Sequence, residues 1–198
     1  MTKIGIFGGT FNPFHSGHKK CIEQADRKLD FDKILVIPDK LPPHKEAVDL
    51  ASDADRLNMC ALGISDIKKA EVCDIELKSE GKSYTVYTLR KLKEIYPDSK
   101  LYFIMGSDML LTFDEWYKYE EILSLCTVVC MARKDEDKKL LAPYAEKFKK
   151  LGEVIIISAE PLEVSSTDIR QMIREGKDLS CFLDKSVVEY IIKNGVYK

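Results

Sequence analysis

Two short stretches carry residue types whose spacing could do chemistry. In Gly8-Gly9-Thr10-Phe11-Asn12-Pro13-Phe14-His15-Ser16-Gly17-His18, paired glycines precede two histidines three residues apart. Paired glycines let a ligand approach the backbone closely, and a helix that starts just after them offers unpaired N–H groups and the positive end of its dipole. A phosphate-bearing ligand fits that setting. As donors, His15 and His18 at the helix start can face one anion and offset charge that grows in a transition state. The loop lacks the Lys-Ser/Thr ending of a Walker A motif and its glycines do not make GxGxxG, so the ATPase and dinucleotide-dehydrogenase readings fail on spacing. A metal pair is the weaker alternative, because neighbouring acids supply no obvious third ligand. A plain turn with capping or core histidines is the bland one.

The second stretch is Val164-Ser165-Ser166-Thr167-Asp168-Ile169-Arg170, where hydroxyl residues directly precede a helical pattern and a cation sits in its first turn. A basic side chain there runs against the helix dipole. An anion bound at the helix start would account for it, with backbone N–H groups, Ser166 and Arg170 all donating. Taken alone, a serine or threonine N-cap with an exposed Arg170 explains it as well.

Both stretches need a frame to hold them. Short apolar runs at 4–7, 34–38, 72–77, 101–105, 126–132 and 153–157 alternate with helix-period segments at His18–Leu29, Ala54–Ile64, Ser83–Tyr96 and Lys138–Leu151. Such alternation predicts an α/β fold with a doubly wound parallel sheet. Ser83 is the expected N-cap of its helix, Pro97 its stop, and Pro143 a residue that delays the last helix of the set. Asp168–Glu175 and Lys185–Lys193 then predict a small C-terminal helical appendage, about 166–198, on a single domain spanning 1–198. Pro38 to Asp53 and the wholly charged Lys134 to Lys139 read as surface loops, the first long enough to cover an active site.

Composition narrows the partners. The 198 residues are 45% hydrophobic and 32% charged, too apolar for wholesale disorder and sufficient for a real core. With 31 basic and 33 acidic residues, the formal charge of -2 gives no basic excess for a phosphate-backbone binder, so nucleic acid is not an expected partner. The apolar runs fall well short of the roughly 20 residues of a membrane-spanning helix, and no signal-peptide pattern opens the chain; a cytoplasmic protein is expected. The six scattered cysteines fit reduced core thiols better than a zinc site or disulfides.

The first stretch resembles the G-G-T/S-F-x-P-x-H-x-G-H signature of the nucleotidylyltransferase superfamily. The second resembles that superfamily's I-S-S-T-x-I-R motif, with Val164 in place of isoleucine. Within the superfamily, Pro38 to Lys45 resembles the P-x-x-x-P-P-H-K loop of bacterial nicotinate mononucleotide adenylyltransferases. Ser83-Tyr84-Thr85 followed by Thr88-Leu89, Phe103 to Asp108, Trp116 and Glu121-Ile122-Leu123 continue the likeness, which covers nearly the whole chain. Pantetheine-phosphate adenylyltransferases are shorter and usually carry threonine where this chain has His15.

The resemblance implies a Rossmann-like nucleotidylyltransferase fold and transfer of AMP from ATP to nicotinate mononucleotide, with release of pyrophosphate. It implies catalytic roles for His15, His18, Ser166 and Arg170. ATP contacts are implied for Gly8, Gly9, Thr10, Phe11, Gly106, Asp108, Arg133, Ser165 and Thr167, with Asp108 on the adenosine ribose. Acceptor contacts are implied for His44, Lys45, Tyr84, Thr85, Trp116 and Tyr117, with Trp116 stacking on the pyridine and backbone groups near Thr85 and Tyr117 holding the carboxylate. For Asp108 helix capping, and for Trp116 an anchor in the packing, are the structural alternatives. Mg²⁺ is expected mainly on the ATP phosphates, with no metal site in the protein; a homo-oligomer is compatible with the sequence. Where the family has Asp in S-Y-T-x-D-T this chain has Tyr87, so position 87 inherits no role. Rival readings are another acceptor, such as nicotinamide mononucleotide, pantetheine phosphate or FMN, and a nucleotide sensor without turnover.

Overall fold

A computed structural model describes residues 1–40, 49–79, 81–132, 135–158 and 164–198. Six strands, β1 (Lys3–Gly9), β2 (Lys33–Pro38), β3 (Ala70–Val72), β4 (Lys100–Gly106), β5 (Thr127–Ala132) and β6 (Val154–Ser158), form one sheet. Its order is β3-β2-β1-β4-β5-β6, and every pairing is parallel. The near-continuous apolar sequences of β1, β2, β4 and β5 follow from burial on both faces. Because side chains alternate across a strand, Ile4 and Ile6 join Leu101, Phe103 and Val128 in one core layer. Phe7, Ile34, Val36, Tyr102 and Ile104 join the other.

The helices are α1 (Ser16–Leu29), α2 (Asp53–Gly63), α3 (Thr85–Ile95), α4 (Ser107–Leu111), α5 (Tyr119–Leu125), α6 (Asp135–Phe148), α7 (Ser166–Arg174) and α8 (Lys185–Asn194). Residues of α1 and α2 cover the layer that holds Phe7, and residues of α3 to α6 the layer that holds Ile4. Met59 of α2 joins Ile169, Leu179, Leu183, Val187 and Ile191 in a third cluster, which docks the C-terminal helices. The strand order reverses direction between β1 and β4, so a crevice opens beyond their carboxyl ends, where both begin the loops of interest.

Three local expectations are corrected, and one stretch holds helices that were not expected. The third strand is 70–72 rather than 72–77, because Lys78 N–H bonds to the Asp74 carbonyl and Ser79 N–H to the Glu76 carbonyl, turning the chain after three residues. Ser83 does not cap α3; Tyr84 is the N-cap and makes no side-chain cap bond, while the Ser83 hydroxyl accepts from Lys40 N–H at 3.0 Å. The charged segment is not a loop to Lys139: α6 begins at Asp135 and runs through Pro143. An acid-rich opening suits a helix N-terminus, and the burial of Leu141 and Phe148 from this helix offsets the backbone bond the proline cannot make. Finally, the stretch between β4 and β5 holds two short helices, α4 and α5, that the apolar periodicity does not signal.

Candidate functional site

The first loop leaves β1 at Gly9 and enters α1 at His15. His15 is the N-cap, with extended backbone, and its Nδ1 accepts from Gly17 N–H at 3.2 Å. Three residues on, His18 Nδ1 accepts from His15 N–H, also at 3.2 Å. The pair thus forms a capping box made of two imidazoles, a reciprocal satisfaction of backbone donors. One consequence is chemical. With both Nδ1 atoms accepting, each neutral ring carries its proton on Nε2, which makes that nitrogen the donor.

The rings stack with centroids 3.7 Å apart. Phe7, Phe11 and Phe14 surround His18 at 6.0, 5.0 and 5.4 Å, which limits its rotation. Gly9 serves this packing too, since a Cβ there would stand 3.0 Å from the Phe11 ring. Gly8 is less constrained, its nearest side-chain neighbour being Phe103 at 3.7 Å. Burial holds the His15 imidazole down at about 4, so near neutral pH it is an uncharged donor.

That burial makes stability depend on pH. Between pH 6.5 and about 4 the unfolded chain protonates position 15 and the folded chain does not, so stability is full above 6.5 and falls through this window. The loss from this group is on the order of 3 kcal/mol. His15→Asn keeps a capping oxygen but does not titrate, so its urea midpoint should fall less than the parent's between pH 7 and pH 4.5. The buried Glu76 carboxyl, pushed up by desolvation, acts with the opposite sign but is common to both proteins and cancels in the comparison. Equal slopes for the two would show that His15 is protonated in the folded state at pH 4.5.

The second motif lies against the first. Ser165 is the N-cap of α7, accepting from Asp168 N–H at 3.1 Å, and Asp168 accepts in return from the Ser165 N–H and hydroxyl. The capping reading of the hydroxyl cluster therefore holds for Ser165. Arg170, by contrast, is not a free surface cation: Nη1 donates to the Asn12 carbonyl at 2.9 Å and Nη2 to Thr167 Oγ1 at 3.4 Å. Ser166 Oγ stands 3.4 Å from the Pro13 carbonyl. Residues about 150 positions apart in sequence thus share one wall.

Sequence reasoning missed the residue beneath that wall. Arg56 is 0% exposed, donates to the Thr10 carbonyl at 2.9 Å and to Asp53 at 2.6 Å, and lies 3.6 Å from Asp39. Asp39 in turn accepts from the Thr10 hydroxyl at 2.9 Å. The signal was present: Arg56, Met59, Cys60 and Gly63 fall at helical spacing on the buried stripe of α2, and a cation on such a stripe needs buried acceptors.

At the end of β4, Gly106 is the N-cap of α4 and Asp108 its second residue, so Asp108 is not the cap. A Cβ on Gly106 would lie 2.7 Å from Asp108 Oδ1, so glycine leaves the carboxylate its place. Trp116 is half-buried against Phe103 and Phe113, at 6.1 and 5.4 Å, in keeping with the anchor alternative. Thr85 is the first residue of α3, whose N-terminus lacks a side-chain cap. Beside it Tyr84, Tyr87 and Tyr117 converge: Tyr84 and Tyr117 are 4.9 Å apart, and the Tyr87 and Tyr117 hydroxyls meet at 3.4 Å. The substituted position 87 is thus part of the same aromatic group, at 41% exposure beside Tyr117 at 46%. His44, Lys45 and Arg133 lie outside the described residues.

Among the described residues, no three His, Cys, Asp or Glu side chains group closely enough to hold a metal ion, and no helix is long and apolar enough to cross a membrane. Burial holds the Cys126 and Cys130 thiols up at about 12, which suits packing rather than nucleophilic chemistry.

The imidazole pair lies at the switch point of a parallel sheet of order 3-2-1-4-5-6, with Arg170 of α7 on the carbonyl of Asn12 in the same loop. The cytidylyltransferase-like family model matches residues 6–172. A curated relative from Fusobacterium nucleatum named "Probable nicotinate-nucleotide adenylyltransferase" is 41% identical over 192 residues, 96% of this chain and 97% of its own. One of the same name from Caldicellulosiruptor saccharolyticus is 36% identical over 99% of both. The chain belongs to the nicotinate-nucleotide adenylyltransferase family. The solved structure of Plasmodium falciparum nicotinic acid mononucleotide adenylyltransferase complexed with NaAD has the same fold, with a TM-score of 0.77 at 21% identity over 100% of this chain and 98% of that one.

Proposed function

We propose that the chain transfers AMP from MgATP to nicotinate mononucleotide, giving nicotinate adenine dinucleotide and pyrophosphate. The acceptor 5'-phosphate oxygen attacks the α-phosphorus in line; the new P–O bond forms as the bond to the β-phosphate breaks, and pyrophosphate leaves with the electron pair. No covalent enzyme intermediate is needed. The observation that carries this reading is the pair of stacked imidazoles whose Nδ1 atoms are committed to the backbone. Their Nε2–H edges are then fixed donors for oxygens that gain charge in the transition state.

In this reading Arg170 and Ser166 donate to the same triphosphate from the facing helix, and Gly8, Gly9, Thr10 and Phe11 form the floor, with Ser165 and Thr167 at the rim. Asp108 accepts from the adenosine ribose across Gly106, and Arg133 stands on the adenine side. Thr85 and Tyr117 offer backbone donors to the nicotinate carboxylate beside Tyr84 and Trp116, and His44 and Lys45 meet phosphate. Mg²⁺ comes as part of the MgATP substrate, held by triphosphate oxygens and water. Residues 1–198 act as one domain, a reading supported by the bonds from Arg170 and Tyr197 to Asn12 and from Ser16 N–H to the Phe182 carbonyl. A cytoplasmic location is supported by six cysteines that remain thiols rather than disulfides.

Incubation with MgATP and either nicotinate or nicotinamide mononucleotide tests it, with pyrophosphate and dinucleotide quantified by chromatography. Equimolar products with a strong preference for the nicotinate form are expected. Nucleotide binding without products from either acceptor would favour the sensor reading instead. Comparable use of both acceptors would direct attention to Tyr87 and the groups beside it.

A further inference from the structure

Asn12 is buried in the first loop, and its hydrogen bonds reach three other parts of the chain. Its Nδ2 donates to the Asp49 carbonyl at 2.9 Å, and its Oδ1 accepts from Ala51 N–H at 3.0 Å and from the Tyr197 hydroxyl at 2.7 Å. Its own carbonyl accepts from Arg170. Both ends of the side-chain amide are therefore engaged, and one of the three bonds that orient it comes from a residue 185 positions away, the last but one in the sequence.

The far partner is placed at some cost. Tyr197 has φ 69, in the left-handed region where bulky residues are uncommon, and its ring lies with the C-terminal apolar cluster while its hydroxyl reaches the loop. Burial also pushes that hydroxyl's titration upward, so it stays a donor. On the other side of Asn12, the Arg170 guanidinium is held by one Nη on a carbonyl and the other Nη on Thr167, while its Nε is buried and has no hydrogen-bond partner among the described residues. The two Nη bonds fix the guanidinium plane, and a phosphate oxygen has the chemistry to accept from its remaining N–H groups.

We infer that Tyr197 is a positioning residue for the nucleotidyl transfer: through Asn12 it fixes the carbonyl that orients Arg170 toward the triphosphate. The inference rests on the proposed phosphate role of Arg170. It predicts non-additivity, because a residue that acts only through Arg170 has nothing to act on once Arg170 is gone.

Tyr197→Phe removes one hydroxyl and keeps the ring. In the parent background it should lower kcat about tenfold, the scale of one hydrogen bond, and weaken binding of inorganic pyrophosphate by a similar factor in calorimetry, with KM for the mononucleotide unmoved. In an Arg170→Ala background the same change should cost less than about twofold in either readout. Asn12→Ser, which withdraws the acceptor of Tyr197 together with the side-chain bonds to Asp49 and Ala51, should lose at least as much kcat as Tyr197→Phe, and adding Tyr197→Phe to it should cost less than about twofold more. Equal losses in both backgrounds, or unchanged kcat and pyrophosphate affinity in Tyr197→Phe, would overturn the relay while leaving the role of Arg170 intact. Full turnover by Arg170→Ala itself would remove that role and the relay together.

Discussion

His18→Ala should lose about 10²–10³ in kcat while remaining folded, the usual cost of removing one preorganised donor to a developing oxyanion. The site explains why the effect falls on turnover. His18 Nδ1 is occupied by the His15 N–H, so its proton sits on the opposite nitrogen, and Phe7, Phe11, Phe14 and the stacked His15 ring hold that nitrogen's direction. Alanine deletes the donor, the reciprocal cap and part of the aromatic packing. Loss of a cap costs about 1 kcal/mol, so some fall in melting temperature accompanies the change without abolishing the fold. Steady-state rates at saturating MgATP and acceptor, with circular dichroism on the same sample, separate the two effects. A folded variant with parental kcat would refute the catalytic role.

Arg56→Ala should be the most damaging change to stability, by about 3–5 kcal/mol in urea unfolding. The guanidinium is fully buried, and its removal strands the Thr10 carbonyl and takes away the positive charge 3.6 Å from Asp39, whose side chain is 15% exposed. The same bonds support the first loop, so the surviving folded fraction should also bind MgATP more weakly. Arg56→Met refills most of the volume without the charge. It should recover part of the packing loss and little of the electrostatic one, so a methionine variant as stable as the parent would argue that Arg56 acts only as filler.

The chemistry-bearing residues are legible in the sequence because their signals are local. A glycine pair, two histidines three apart and a hydroxyl cluster before a helix are spacings that the peptide backbone converts directly into a loop and two helix starts. The alternation of apolar runs likewise predicts the parallel sheet, since strands buried on both faces have few other sequences available to them. Less legible is whatever depends on competition between local signals. Asp74 to Leu77 alternates like a strand but turns, and Pro143 reads as a helix start yet lies inside α6, because tertiary packing of the surrounding segment outweighs one lost backbone bond. Position 87 is visible in the sequence only as a departure; the fold gives it neighbours, Tyr84 and Tyr117.

By itself, then, the sequence singled out the candidate residues for the chemistry and determined the kind of sheet that carries them. Tertiary structure decided what those residues are attached to: Arg56 under Thr10, Arg170 on the Asn12 carbonyl, and Tyr197 on the Asn12 side chain. These are single hydrogen bonds between segments that lie 46 to 185 positions apart. No periodicity or spacing rule reports such pairs: the first needs α2 packed beside the first loop, and the other two need the third core cluster, which docks α7 and α8 onto α2. Buried polar groups must then find partners among whatever the docking brings near.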